Sequence, residues 1–104
     1  MEYLAPRYNG ANLSGILAAQ EIFPNARQVA TIDTAFPQTL PLHAAIYALP
    51  YEWYENHGIR RYGFHGTSHL YLARRAAILL GKDYTDCNFV IVFCGFGISL
   101  CAIR

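Results

Sequence analysis

The sequence predicts an α/β fold, on three observations. Runs that suit helices and runs that suit strands interleave along the chain. One of them, NFVIVFCG, is continuously apolar in the manner of a strand buried on both faces. The helix-like runs are punctuated by proline and glycine where helices begin and end. Composition adds a constraint. Charged residues make up 14% of the 104 and hydrophobic residues 54%, whereas soluble domains carry about 25% charge. A body of this length buries roughly 60–70% of its unfolded surface, and so few charges cannot coat the rest. The chain therefore reads as an interior piece of something larger, or as one that needs a partner.

Taken in order, Asn12 can cap a helix that turns Leu13, Ile16, Leu17 and Ile22 toward a core, with Pro24 as its stop. QVATID, residues 28–33, alternates loosely and reads as a short buried strand ending on a carboxylate. The stretch TAFPQTLPLHAAIYALP carries three prolines and no Asp, Glu, Lys or Arg. It suits an irregular crossing with a short helical piece at residues 43–48, and it is the one plausible domain boundary. PYEWYENHG suggests a helix with Pro50 in its first turn and Gly58 at its end. After RRYGFHG, Thr67 or Ser68 is a natural cap, the run Leu72, Ala76, Leu79 and Leu80 supplies an apolar face, and Gly81 closes the helix. NFVIVFCG and the alternating GISLCAIR then make two strands, joined through Gly-Phe-Gly as a tight hairpin.

Several function classes are disfavoured. Net charge is +1, so no basic field argues for nucleic acid or an anionic membrane. Cys87, Cys94 and Cys101 are odd in number and form no CxxC pair, which suits reduced thiols in the cytoplasm. MEYLAPRYNG has neither a basic n-region nor an apolar h-region, so no secretory signal is expected. The apolar segment 87–103 is broken by Asn88, Gly95, Gly97 and Ser99 and makes a poor membrane span.

Three places can carry chemistry. Asp33 ends a strand-like run and meets a crossing loop, where α/β proteins place ligand groups; it can equally cap the following turn. His65 and His69 have HxxxH spacing, which on one helix face can hold zinc. No nearby Cys, Asp or Glu cluster supplies further ligands, however, and His65 precedes the helix, so the two rings need not converge. A helix start with a neighbouring imidazole and arginines is alternatively an anion site, and a purely structural role between Phe64 and backbone is the third reading. Gly95 and Gly97 follow an apolar strand and can let backbone approach a phosphate. Arg60 and Arg61 can clamp an anion, although adjacent arginines usually point apart.

Together, LAPRYNGANL, TIDTAFPQTLP, YALPYEWYENHGIRRYGFHGTSH and GFGISLCAIR resemble, in order and spacing, the middle of the acetokinase (acetate kinase) family. The match spans essentially the whole chain but a minority of a full-length member. The resemblance implies reversible, ATP-dependent phosphorylation of acetate to acetyl phosphate with Mg2+, in a cytoplasmic and typically homodimeric enzyme. It implies an incomplete segment of a two-domain actin-like, sugar-kinase-like fold. Residues 1–36 would end the N-terminal domain and 37–104 would begin the C-terminal, nucleotide-binding one. Asp33 matches the catalytic residue of the family's D-T-A-F motif, and His65 matches the transition-state stabiliser of G-F-H-G-T-S-H. Phe64 matches a residue lining the acetate-methyl pocket, and Gly95 and Gly97 match the phosphate-binding glycines. Related propionate kinases share much of this pattern, so another short-chain carboxylate is an alternative substrate. Because acetate is already ionised at neutral pH, Asp33 is expected to fix the metal or orient the reacting groups rather than remove a proton.

The departures are specific. Arg7, Tyr8 and Gly10 stand where the family usually has Leu, His and Pro. Phe93 and Phe96 replace the His and Asn of H-L-G-N-G, leaving backbone but not side-chain contacts to phosphate, and Pro37 replaces a His. The family's Mg2+ ligands, nucleotide residues and two arginines lie outside the chain. The expectation is therefore an inactive segment when isolated, or a degenerate non-catalytic relative that binds nucleotide weakly.

Overall fold

The computed structural model describes residues 5–104, which divide into two compact units, the first ending at Ala30 and the second spanning Thr31–Arg104. Met1 to Leu4, including the head of the LAPRYNGANL stretch and the start of the segment read for a secretory signal, lie outside the described residues.

The first unit is one helix, α1 (Pro6–Ile22). It starts well before the expected cap at Asn12. Pro6 at its first position has its φ preset for helix and lacks only an N–H that would have no partner there. The Ala5 carbonyl accepts from the N–H groups of Tyr8 and Asn9, both at 2.9 Å. The helix ends where Pro24 requires, with the Phe23 N–H donating to the Ala19 carbonyl at 2.9 Å. Arg7, Tyr8 and Gly10 all sit in its first turns. No α1 residue is buried, and Leu13, Ile16, Leu17 and Ile22 are exposed. The expectation that they face a core fails within this unit because one helix has no second layer to pack against.

Between the helix and the rest of the chain, residues 28–33 adopt no strand, contrary to the expectation. A strand exists only through a neighbour's ladder, and the described residues provide none there. A 3-10 turn (Phe36–Thr39) follows, then the short α2 (Leu42–Ala45) and α3 (Tyr51–His57). Pro50 stands at the cap of α3, one residue ahead of the first turn where the sequence put it, and Gly58 closes the helix in left-handed backbone at φ 64°, as the sequence predicts. α4 (Gly66–Leu80) is closed the same way by Gly81, whose N–H, with that of Lys82, returns to the carbonyls of Ile78 and Ala77. A second 3-10 turn (Tyr84–Asp86) leads to β1 (Phe89–Cys94) and β2 (Ile98–Ile103).

The two strands form the expected antiparallel hairpin across Gly95-Phe96-Gly97, pairing Phe89 with Ile103, Phe93 with Ser99 and Cys94 with Ile98. α4 packs on β1 and against both 3-10 turns. The buried hydrophobic residues are Ala45, Ala73, Ala77, Cys87 and Ile103, all but the last of them small. The buried stripe of α4 is Gly66, His69, Ala73 and Ala77, displaced from the Leu-rich one the sequence suggests; Leu79 and Leu80 are exposed. β1 is covered on one face only, alternating half-buried Phe89, Ile91 and Phe93 with exposed Val90, Val92 and Cys94. A strand apolar on both faces requires two covering layers, and the described residues supply one.

Close approach explains Gly66. A methyl group there would run into the Asp33 carbonyl oxygen and stand 2.6 Å from the Pro37 Cδ. Both neighbours are held by backbone, so the clash cannot be relieved cheaply. Gly66→Ala is expected to destabilise the folded chain by about 1–3 kcal/mol, measured as a lower urea midpoint with unchanged slope.

Candidate active site

Position 65 is the geometric centre. His65 is the only non-glycine residue with positive φ among the described residues, at 59°. It, rather than Thr67 or Ser68, occupies the cap position of α4. Left-handed backbone at a residue with a Cβ costs about 1–3 kcal/mol and persists only where surroundings impose it. Here Asp33 imposes it. Its carboxylate Oδ2 accepts from the His65 N–H at 2.9 Å, and its carbonyl accepts from the Gly66 N–H at 3.0 Å. Asp33 thus caps a helix that begins 32 residues later, not the turn that follows it. A carboxylate at this end of a helix is also favoured by the helix dipole.

With its backbone fixed, the His65 ring reaches β2. Its Nδ1 lies 2.9 Å from the Ser99 hydroxyl, and the same hydroxyl lies 2.9 Å from Nε2 of His69. The sequence left open whether the two rings converge; they do, on a hydroxyl oxygen. Phe93, paired across the ladder with Ser99, packs against both: its ring centre is 4.7 Å from that of His65 and 6.5 Å from that of His69. The side chain at this departure from the family pattern therefore serves as packing for the two imidazoles.

His69 is 3% exposed, and its Nδ1 has no hydrogen-bond partner among the described residues. Burial, reinforced by the neighbouring His65, pushes its pKa below the ordinary 6.5, with Asp33 pulling weakly the other way. The Asp33 carboxylate thus meets the backbone N–H of His65, while the His65 ring is turned to Ser99. Phe64, next to His65, presents its ring outward at 62% exposure. Gly95 and Gly97 lie in the hairpin turn, where the Gly95 N–H is already donated to the Gly97 carbonyl at 2.9 Å. A Cβ at Gly97 would meet only open space. Arg61 is engaged elsewhere, its backbone N–H and guanidinium donating to the last carbonyls of α2, Ala45 and Ala44. Arg60 lies over Tyr62.

Sequence reasoning missed Ser99. The signal was present: in the alternating GISLCAIR, Ser99 shares a face with Cys101 and Ile103, and a hydroxyl on the inward face of a strand needs a polar partner. Beneath the hairpin, His69, Arg61, Gly63, Pro37, Tyr84 and Leu100 border a cavity of about 620 Å³. Among the described residues, no three His, Cys, Asp or Glu side chains gather as a metal site, and no helix is long and apolar enough to cross a membrane.

Comparison with known proteins supplies context. A model of the acetokinase family matches residues 1–104. The acetate kinase of Geobacter metallireducens is 57% identical over 104 residues, covering all of this chain and 25% of that protein. The propionate kinase of Klebsiella pneumoniae is 54% identical over 101 residues, covering 97% and 25%. The crystal structure of Porphyromonas gingivalis acetate kinase superposes with a TM-score of 0.93 at 48% identity, covering 99% of this chain and 26% of that one. A propionate kinase from Francisella tularensis gives a TM-score of 0.91 at 45% identity. The chain thus spans about a quarter of the length of these relatives, and its mixed helix-and-strand fold is an incomplete segment of theirs.

The lowered pKa of His69 sets a pH dependence. A buried imidazole that resists protonation contributes stability fully present above its unfolded value of 6.5, and that contribution is lost as pH falls through the lower folded value. Urea midpoints are expected to fall between pH 7.5 and pH 5, and His69→Gln should flatten that fall.

Proposed function

The chain belongs to the acetokinase family, and on that premise we propose that it is the central segment of a kinase for short-chain carboxylates. The reaction is transfer of the terminal phosphoryl group of ATP to a carboxylate oxygen: the bond to ADP breaks and the bond to the acid forms. Acetate is the preferred acceptor, and propionate is the alternative, since acetate and propionate kinases match this chain at similar identities. The observation that carries the proposal is the junction of Asp33 with His65. In the intact enzyme, residues 1–36 would close the N-terminal domain and 37–104 would open the nucleotide-binding domain of an actin-like, sugar-kinase-like fold. Asp33 would then hold the head of α4 from across that boundary.

Phosphoryl transfer asks a protein chiefly for positioning and for charge stabilisation at the equatorial oxygens. His65 is suited to both, because its backbone is fixed at a helix start and its Nε2 makes no hydrogen bond among the described residues. Asp33 positions it. Phe64, whose ring is exposed here, would line the pocket for the methyl group of the acid. Gly95 and Gly97 would leave the hairpin backbone open to phosphate, with the Gly97 side carrying the contact. Magnesium supplies charge neutralisation in such reactions. Its ligands would lie in the remaining three-quarters of the enzyme, as in the family pattern, and no step here is routed through it. A cytoplasmic homodimer is the proposed setting.

Two measurements test this reading. The purified 104-residue chain is expected to show no acetate-dependent ADP formation above an Asp33→Ala control, because the opposing walls of the cleft are missing. Substituted for the matching quarter of the Geobacter metallireducens acetate kinase, the same residues should restore acetyl phosphate synthesis. Asp33→Ala in that chimera removes the acceptor for the His65 N–H and lets the ring shift, and turnover should drop about 100-fold. Undiminished turnover would refute the role given to Asp33.

A further inference from the structure

We propose that Ser99 is the positioning residue that selects the tautomer of His65, turning its Nε2–H outward as the donor to the transferred phosphoryl group. The inference rests on the catalytic role given to His65 above, but its derivation is a count of hydrogens. The Ser99 hydroxyl has one hydrogen and sits 2.9 Å from Nδ1 of His65 and 2.9 Å from Nε2 of His69. It can donate to only one ring and must accept from the other. His69 decides which. Its Nδ1 is buried without a partner, and an orphaned N–H inside a protein is rarer and costlier than an orphaned acceptor. His69 therefore carries its hydrogen on Nε2 and donates it to the Ser99 oxygen.

The remaining hydroxyl hydrogen then goes to Nδ1 of His65. A neutral His65 must in consequence hold its own hydrogen on Nε2, on the side of the ring away from Ser99. The ring cannot turn over without leaving the Ser99 hydroxyl hydrogen without its acceptor, and Phe93 packed at 4.7 Å resists the rotation. The depressed pKa of His69 suits this scheme, since a neutral His69 is what the count requires. The whole arrangement is a chain of single hydrogens, His69 to Ser99 to His65, running from the buried face of α4 to the head of the helix. A group that orients a reacting imidazole through its second nitrogen is a familiar device in enzymes, and its removal typically costs about 10–100-fold in activity.

Nitrogen-15 spectra of the histidine-labelled chain at pH 8 read the tautomers directly. The expected result is protonated Nε2 on both His65 and His69, with Nδ1 of His65 displaced from the values of the exposed His43 and His57 by the hydrogen it accepts. Ser99→Ala should abolish that displacement and Ser99→Thr should retain it. In the chimeric kinase, Ser99→Ala should lower kcat about 10–100-fold with little change in the KM for acetate, and Ser99→Thr should recover it. A hydrogen on Nδ1 of His65 in the unsubstituted chain, or His65 nitrogens that match His43 and His57, would overturn the inference even if Ser99→Ala fails to fold. So would a Ser99→Ala chimera with full kcat. An unsubstituted chimera with no activity would instead count against the kinase reading, while the spectra would still decide the tautomer.

Discussion

The second unit depends on one backbone event, the reversal at His65 held by Asp33. Two N–H groups at the head of α4, those of His65 and Gly66, are paired with two oxygens of one residue, 32 positions earlier. The first unit of a helix normally finds such partners in the residue just before it. Here the cap comes from another segment, so the start of α4 and the course of residues 31–37 are fixed together. Gly66 is the corollary, because two stretches of backbone that approach this closely leave no room for a Cβ. The direction of the His65 ring, its reach to Ser99 and its packing on Phe93 all follow from that pinned residue.

Much of this was legible in the residues, and the illegible parts share a cause. Local signals read well: Pro24, Pro50, Gly58 and Gly81 end or begin helices where their backbone preferences require, and Gly-Phe-Gly turns the hairpin. Signals that depend on what lies opposite read badly. Among the described residues, 28–33 have the pattern of a strand but join no ladder, Leu13, Ile16, Leu17 and Ile22 have the pattern of a buried face but are exposed, and β1 is covered once rather than twice. What those patterns need is a ladder or a second layer, and local residues do not reveal whether one is present. Low charge was the compositional sign of the same thing.

The site divides along the same line. Asp33 and His65 were marked by motif, and the family membership accounts for why both are there. That Asp33 works through backbone N–H groups was not readable, because a cap supplied from 32 residues away leaves no local spacing to detect. Ser99 was readable in principle, as a hydroxyl on the inward face of an alternating strand, and passed unnoticed among glycines that drew attention to phosphate. Zinc was weighed for HxxxH because spacing places two rings on one side of a helix; their meeting point turned out to be a hydroxyl oxygen.

The hairpin has a consequence for how such a segment behaves when it is made. Among the described residues β1 and β2 pair only with each other, so each offers an outer row of unpaired peptide groups, flanked by bare Val90, Val92, Ile98 and Leu100. Rows of that kind recruit any extended chain that drifts past. In the segment on its own the hairpin is an adhesive ribbon, and copies of it made without a covering layer stick to one another edge to edge.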